Sequence, residues 1–184
     1  MKKFKILIPV YNDWQSLSKL LNNINNEIEN LNHEISIIII DDASTFDRQL
    51  GIENLSNINS IKVLSMRENR GHARCIATGL KYIFEKKEFD YVIPMDGDGE
   101  DRPEEIIEFI KSSESAPEQT IVGERVKRSE AFIFKFCYFF HKIITLVFTG
   151  HSIKFGNFTC LTKSSVEKMI NEKATWNSFS GSLT

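Results

Sequence analysis

Asp96 and Asp98 stand two residues apart in Met95-Asp96-Gly97-Asp98-Gly99-Glu100-Asp101, where acid alternates with glycine. Carboxylates at that spacing present hard oxygen donors, and the glycines let the backbone fold closely around whatever those oxygens hold. The chemistry on offer is the grip of a divalent cation with a phosphate attached. A solvated acidic turn is the alternative that residue types alone leave open.

Two other uses of paired acids fit less well. A calcium loop of the EF-hand kind wants glycine at its sixth position and glutamate at its twelfth, and counting from Asp96 those places hold Asp101 and Ile107. An aspartate phosphatase of the haloacid dehalogenase type would place its nucleophile on an early strand, and threonine or valine where Glu100 stands.

The elements that must position these acids are read from periodicity. Tyr91 to Pro94 is a short apolar run leading into the acidic turn, and Pro103 then opens an amphipathic run with Ile106, Ile107 and Ile110 on one face. Upstream, Lys5 to Val10 reads as the first strand. Trp14, Leu17, Leu20, Leu21, Ile24, Ile28 and Leu31 recur at helical spacing. Ile35 to Ile40 is an apolar run, interrupted only by Ser36, that ends in Asp41-Asp42, as expected of a strand buried on both faces. Ile61 to Leu64 reads as a shorter strand, and Gly71 to Lys86 as a helix with Cys75, Ile76, Leu80, Ile83 and Phe84 inward. The expected order is strand, helix, strand, helix, strand, helix, strand. Such alternation predicts an α/β fold with a parallel sheet and ligands beyond the carboxyl ends of its strands. Tyr11-Asn12-Asp13, Asp41-Asp42-Ala43-Ser44 and Asp96-Gly97-Asp98 each follow a strand, so the three loops should converge on one crevice.

Composition sets bounds. A chain of 184 residues, 41% hydrophobic, suits one globular domain over 1–184 with a real core. A net charge of −2 argues against a nucleic-acid footprint across the surface, although residues 96–108 are acidic and Arg125 to Lys142 carries a basic excess. Cys75, Cys137 and Cys160 lack paired spacing and read as small apolar residues in a reducing compartment. That compartment makes the cytoplasm the expected location, and with no secretory signal evident the N-terminus reads as the first strand. Neither GxGxxG after the first strand nor GxxxxGK[ST] anywhere is present, so phosphates would be held through metal on Asp96 and Asp98. Asp41 or Asp42 would accept hydrogen bonds from a base or ribose. Asp41 is the better candidate, since Asp42 could equally end the strand or cap a helix.

Five segments, Pro9-Val10-Tyr11-Asn12-Asp13, Ile39 to Ser44, Asn69-Arg70-Gly71, Met95 to Asp98 and Val122-Gly123-Glu124-Arg125, occur in an order and spacing that resembles family 2 glycosyltransferases. The pattern is similar to the branch containing dolichol-phosphate mannose synthases and bacterial polyprenyl-phosphate glycosyltransferases, over roughly residues 4–170. The resemblance implies a GT-A (Rossmann-like) fold with a mostly parallel central sheet and inverting transfer from a nucleotide-diphosphate sugar. It places Pro9, Tyr11, Asp13, Asp41, Asn69, Gly71 and Asp96 around the nucleotide. Asp96 and Asp98 fall on the diphosphate and its Mg²⁺ or Mn²⁺. Three positions depart from the family pattern: Asp13 replaces a usual glutamate, Ala43 a usual glycine, and Glu100 a frequent glutamine. A carboxylate at Glu100 could add a metal ligand or signal a different donor.

A lipid-phosphate acceptor is already anionic and chiefly needs cations to position it, whereas a sugar hydroxyl also needs a carboxylate base. Arg125 and Arg128 are the candidates for that cationic, catalytic role. No late acidic motif suited to such a base is evident, which weakens transfer to a saccharide hydroxyl in surface-polysaccharide synthesis; a nucleotide-sugar-binding subunit without turnover is the non-enzymatic alternative. Residues 131–148 are aromatic-rich and punctuated by Lys135, His141 and Lys142, so a helix lying in the membrane interface is expected rather than a crossing, with packing on the sheet or a homo-oligomer contact as the alternative. Phe155 to Leu161 reads as a further strand and Lys163 to Asn171 as a short helix beyond it. Trp176 to Gly181 would continue a wall of the acceptor site. Family relatives usually run on further, so a truncated chain is expected.

Overall fold

The computed structural model describes residues 1–51, 54–124 and 155–179. Strand β1 (Lys3–Val10), helix α1 (Trp14–Glu27), β2 (Glu34–Asp41), β3 (Ser60–Ser65), α2 (His72–Lys86), β4 (Tyr91–Pro94), α3 (Glu104–Ser115), β5 (Ile121–Glu124), β6 (Phe155–Thr162) and α4 (Lys163–Asn171) follow in order, and a 3₁₀ turn spans Lys173–Trp176. The sheet runs β3-β2-β1-β4-β6-β5. The first four strands are parallel, and β6 lies antiparallel to both β4 and β5.

The run Ile35 to Ile40 shows why the sheet is central. Ile35, Ile37 and Ile39 pack on one face with Leu17, Leu21 and Ile24 of α1 and Ile106 and Ile110 of α3. Ile38 and Ile40 pack on the other with Ile76, Leu80 and Ile83 of α2 and Val166 and Met169 of α4. Alternate residues therefore serve two separate cores, which is why Ile37 to Ile40 is apolar without a break, while the buried Ser36 before them accepts from Lys5 Nζ at 3.1 Å. Burying each such side chain stabilises the fold by about 2 kcal/mol.

Two expectations need correction. Among the described residues no helix separates β2 from β3. Backbone donors of that connection are met by side chains of the preceding segments instead: Thr45 and Phe46 N–H donate to Asn12 Oδ1, Gly51 N–H to Ser18 Oγ, and Asn57 N–H to Asn25 Oδ1. A segment whose donors are satisfied in this way needs no helical ladder. Helix α1 also ends at Glu27, before Leu31. The Asn25 carbonyl, which would have accepted the next helical bond, takes Asn57 Nδ2–H at 2.9 Å.

Cys75 and Cys160 are buried free thiols, as their lack of paired spacing implied. Cys137, Arg125, Arg128 and the stretch 131–148 lie outside the described residues, as do positions 180–181 of the expected acceptor wall.

Candidate functional site

The carboxyl ends of β2, β1 and β4 lie side by side, and the acidic loops issue from them. Val10 is in register with Asp41, and Asp42 N–H donates to the Val10 carbonyl at 2.9 Å. On the other flank, Met95 N–H donates to the Leu7 carbonyl at 2.9 Å. The turn that follows presses on β1 so closely that a Cβ at Gly97 would lie 2.9 Å from the Pro9 carbonyl oxygen and 3.3 Å from Ile8 Cγ2. Glycine at 97 is therefore what lets Asp96 and Asp98 sit against the end of the first strand.

Asp41 is buried. Its Oδ1 accepts Ser44 N–H at 2.9 Å and its Oδ2 accepts Ser65 Oγ–H at 3.0 Å. Arg48 donates to Ser65 Oγ at 2.9 Å, stands 3.7 Å from Asp41 Oδ2, and lies over the Trp14 ring. Donors on both oxygens hold this carboxylate in one orientation at the carboxyl end of β2.

Asp42 has a different task. Its Oδ1 accepts Arg70 N–H at 2.7 Å and its Oδ2 accepts Gly71 N–H at 2.8 Å. Of the two roles the residue types allowed, it performs the structural one, fixing the segment that enters α2. Gly71 there has φ of +85° and ψ of 161°, a region reserved for glycine. Burial, and then the neighbouring Asp42 carboxylate that its thiol hydrogen-bonds, pushes Cys75 up to about 12. It remains a neutral thiol there.

The segment held by Asp42 reaches across to the acidic turn after β4. His72, the first residue of α2, places Nε2 2.8 Å from Asp96 Oδ1. Asp96 N–H donates to Asp101 Oδ2 at 2.8 Å, and Asp98 Oδ1 accepts Glu100 N–H at 2.8 Å. The Glu100 side chain is exposed, and among the described residues no group of three or more acidic, histidine or cysteine side chains is gathered to hold a metal ion. Two carboxylates with hard oxygens still suit Mg²⁺ or Mn²⁺, which bind through one or two carboxylates and fill their remaining positions with phosphate oxygens and water.

Pro9 is buried, and Tyr11, just past the end of β1, is 48% exposed. Between them and α1, Asn12 adopts φ of +57°, and its backbone N–H donates to Ser44 Oγ at 2.9 Å, locking the first loop to the second. Ala43, in the place where a glycine was expected, also has positive φ, at +59°. Asp13 is the N-cap of α1, its Oδ1 accepting Ser16 N–H at 3.1 Å. Asn69 is exposed in the loop between β3 and α2. The arrangement thus brings Pro9, Tyr11, Asp13, Asp41, Asn69, Gly71, Asp96 and Asp98 to one end of the sheet.

Sequence reasoning missed His72, Arg48 and Ser65. His72 directly follows the Asn69-Arg70-Gly71 segment, which was a usable signal; Arg48 lies in a connection without periodicity and had none.

Residues 5–174 match the family model described as Glycosyl transferase family 2. The chain is 30% identical over 127 residues to undecaprenyl-phosphate 4-deoxy-4-formamido-L-arabinose transferase of Proteus mirabilis, covering 68% of this chain and 37% of that protein. It is 32% identical over 114 residues to the protein of the same name from Pseudomonas syringae pv. syringae, covering 62% and 33%. The match therefore spans about a third of those relatives' length. Among solved structures, S. aureus TarS 1–349 superimposes with a TM-score of 0.58 at 18% identity, over 90% of this chain and 48% of that one. The mannosyltransferase PcManGT from Pyrobaculum calidifontis, in complex with GDP-Man and Mn²⁺, gives 0.57 at 15% identity, over 91% and 46%.

Proposed function

The chain belongs to glycosyl transferase family 2 and has the GT-A fold, and from that premise we propose that it is a catalytic domain moving a sugar, with inversion, from a nucleotide-diphosphate donor to a polyprenyl-phosphate acceptor. The observation that carries this reading is the Asp96-Gly97-Asp98 turn, pressed on Pro9 beside the oriented carboxylate of Asp41. The relatives that are named as undecaprenyl-phosphate transferases support the acceptor class.

In this reading Asp41 and Tyr11 receive the base and ribose, and Asp96 and Asp98 hold Mg²⁺ or Mn²⁺. When bound, the cation neutralises charge that builds on the departing diphosphate. The bond from the anomeric carbon to the diphosphate breaks with its electron pair leaving on the diphosphate oxygen, as an acceptor phosphate oxygen bonds the opposite face. Asp41 orients the nucleotide through its fixed carboxylate, and Arg125 and Arg128 position the acceptor anion.

Among the described residues no helix is long and apolar enough to cross a membrane. Lipid-linked acceptors would be met at the cytoplasmic membrane face, with residues 131–148 as the contact.

The test supplies radiolabelled UDP-, GDP-, CDP- and dTDP-sugars with Mn²⁺, and either undecaprenyl phosphate in liposomes or free saccharides. Label passing to the lipid phosphate supports the proposal. Label passing only to saccharide would assign the hydroxyl acceptor, and saturable donor binding without any product would assign a binding subunit.

A further inference from the structure

His72 Nε2 and Asp96 Oδ1 are 2.8 Å apart, within direct hydrogen-bond reach. The ring is delivered there by a rigid mount. The face of α2 bearing Cys75, Ile76, Leu80 and Ile83 is buried on the sheet, and Asp42 holds the two residues before His72 through Arg70 and Gly71 N–H. Gly71 supplies the backbone turn that other residues resist. The histidine is therefore aimed at the acidic turn by elements that do not depend on that turn.

A carboxylate that ligates a cation has two oxygens and a freely turning plane, and a donor on one oxygen decides which oxygen faces the ion. Partners of this kind typically contribute about 10- to 100-fold to metal affinity. Resting on the reading of Asp96 as a cation ligand, we propose that His72 is a positioning residue for the metal site. Its Nε2–H donates to Asp96 Oδ1 and fixes the plane of the carboxylate that this reading assigns to the cation. The pair lies outside the core, with the His72 side chain 44% and the Asp96 side chain 24% exposed. Removing the imidazole opens no core cavity, so its effect on the metal is separable from its effect on folding.

The experiment titrates Mn²⁺ by the paramagnetic resonance of the free ion, alone and with each of UDP, GDP, CDP and dTDP, for the wild type, His72→Ala, His72→Gln and Asp96→Ala. Glutamine keeps an N–H donor at comparable reach. The expected result is a loss of about 10- to 100-fold in Mn²⁺ affinity for His72→Ala, recovery to within about threefold of wild type for His72→Gln, and melting temperatures within about 2 °C of wild type for both. Wild-type affinity in His72→Ala beside lost affinity in Asp96→Ala would overturn the positioning role and leave Asp96 as a ligand. Unchanged affinity in Asp96→Ala would overturn the underlying reading and the inference with it. Glutamine as weak as alanine, or a large drop in melting temperature for His72→Ala, would also overturn it, because the role would then not be N–H donation.

Discussion

A Cβ at Gly97 would sit 2.9 Å from the carbonyl oxygen of Pro9, so the acidic turn after β4 and the end of β1 meet at van der Waals limits. That contact joins the segment proposed to hold the cation to the segment proposed to hold the nucleotide. Because the obstacle is backbone, it cannot swing aside as the tip of a side chain could.

Gly97→Ala should therefore displace Asp96 and Asp98 from the crevice while leaving the two cores intact. The expected loss is at least about tenfold in nucleoside-diphosphate affinity with Mn²⁺, or about 1.4 kcal/mol. Calorimetric titration beside a melting curve reads both effects; full affinity in the variant would show that the turn need not touch β1.

The entry to α2 is expected to be sensitive to folding as well as to binding. Asp42→Ala leaves the N–H groups of Arg70 and Gly71 without their carboxylate, and should destabilise the chain by about 3 kcal/mol. Gly71→Ala forces a side chain into a glycine-only conformation and should cost about 1–3 kcal/mol. Urea unfolding measures both.

Gly79 sets two effects of opposite sign against each other. Alanine is favoured over glycine inside a helix by about 1 kcal/mol. A Cβ at 79, however, would lie 2.2 Å from Leu7 Cδ1 and 3.1 Å from Ile40 Cγ1, and both residues are fully buried. Overpacking of such a core typically costs about 1–3 kcal/mol, so Gly79→Ala is expected to lower the urea midpoint rather than raise it.

Alkaline pH should weaken the fold through the buried thiols. Cys75 and Cys160 are each raised from 9.0 to about 12, chiefly by burial, with Asp42 adding to the shift at Cys75. Between those values the unfolded chain has released protons that the folded chain retains. Stability is then fully present below pH 9 and falls as pH rises towards 12, by at most about 1.4 kcal/mol per unit for each thiol. Unfolding midpoints from pH 8 to 11 should show a steeper decline in the wild type than in Cys75→Ala/Cys160→Ala. Equal slopes would deny the thiols that role.

Much of this was legible in the residues because it rests on local pattern. The run Ile35 to Ile40 suited a strand buried on both faces, and acid following an apolar run marked the loops at the strand ends. What escaped depends on bonds between segments far apart in the chain. Asn12 and Asn25 satisfy the backbone of the β2–β3 connection from about 30 residues away, so helical periodicity in the neighbourhood was no guide to that connection or to where α1 stops. Asp42 read equally well as a cap or as a ligand until the position of Gly71 was known. His72 directly follows Asn69-Arg70-Gly71, but its meeting with Asp96 depends on how α2 packs across the sheet, which that local signal does not contain.

The central claim is that Asp96 and Asp98 hold a cation that in turn holds a nucleoside diphosphate, and calorimetric titration of UDP, GDP, CDP and dTDP with and without Mn²⁺ tests it most directly. At least one of the four should bind the wild type only with the metal present, and Asp98→Ala should reduce that binding by at least about tenfold. Binding of none of them, or binding indifferent both to Mn²⁺ and to the loss of the Asp98 carboxylate, would contradict the account.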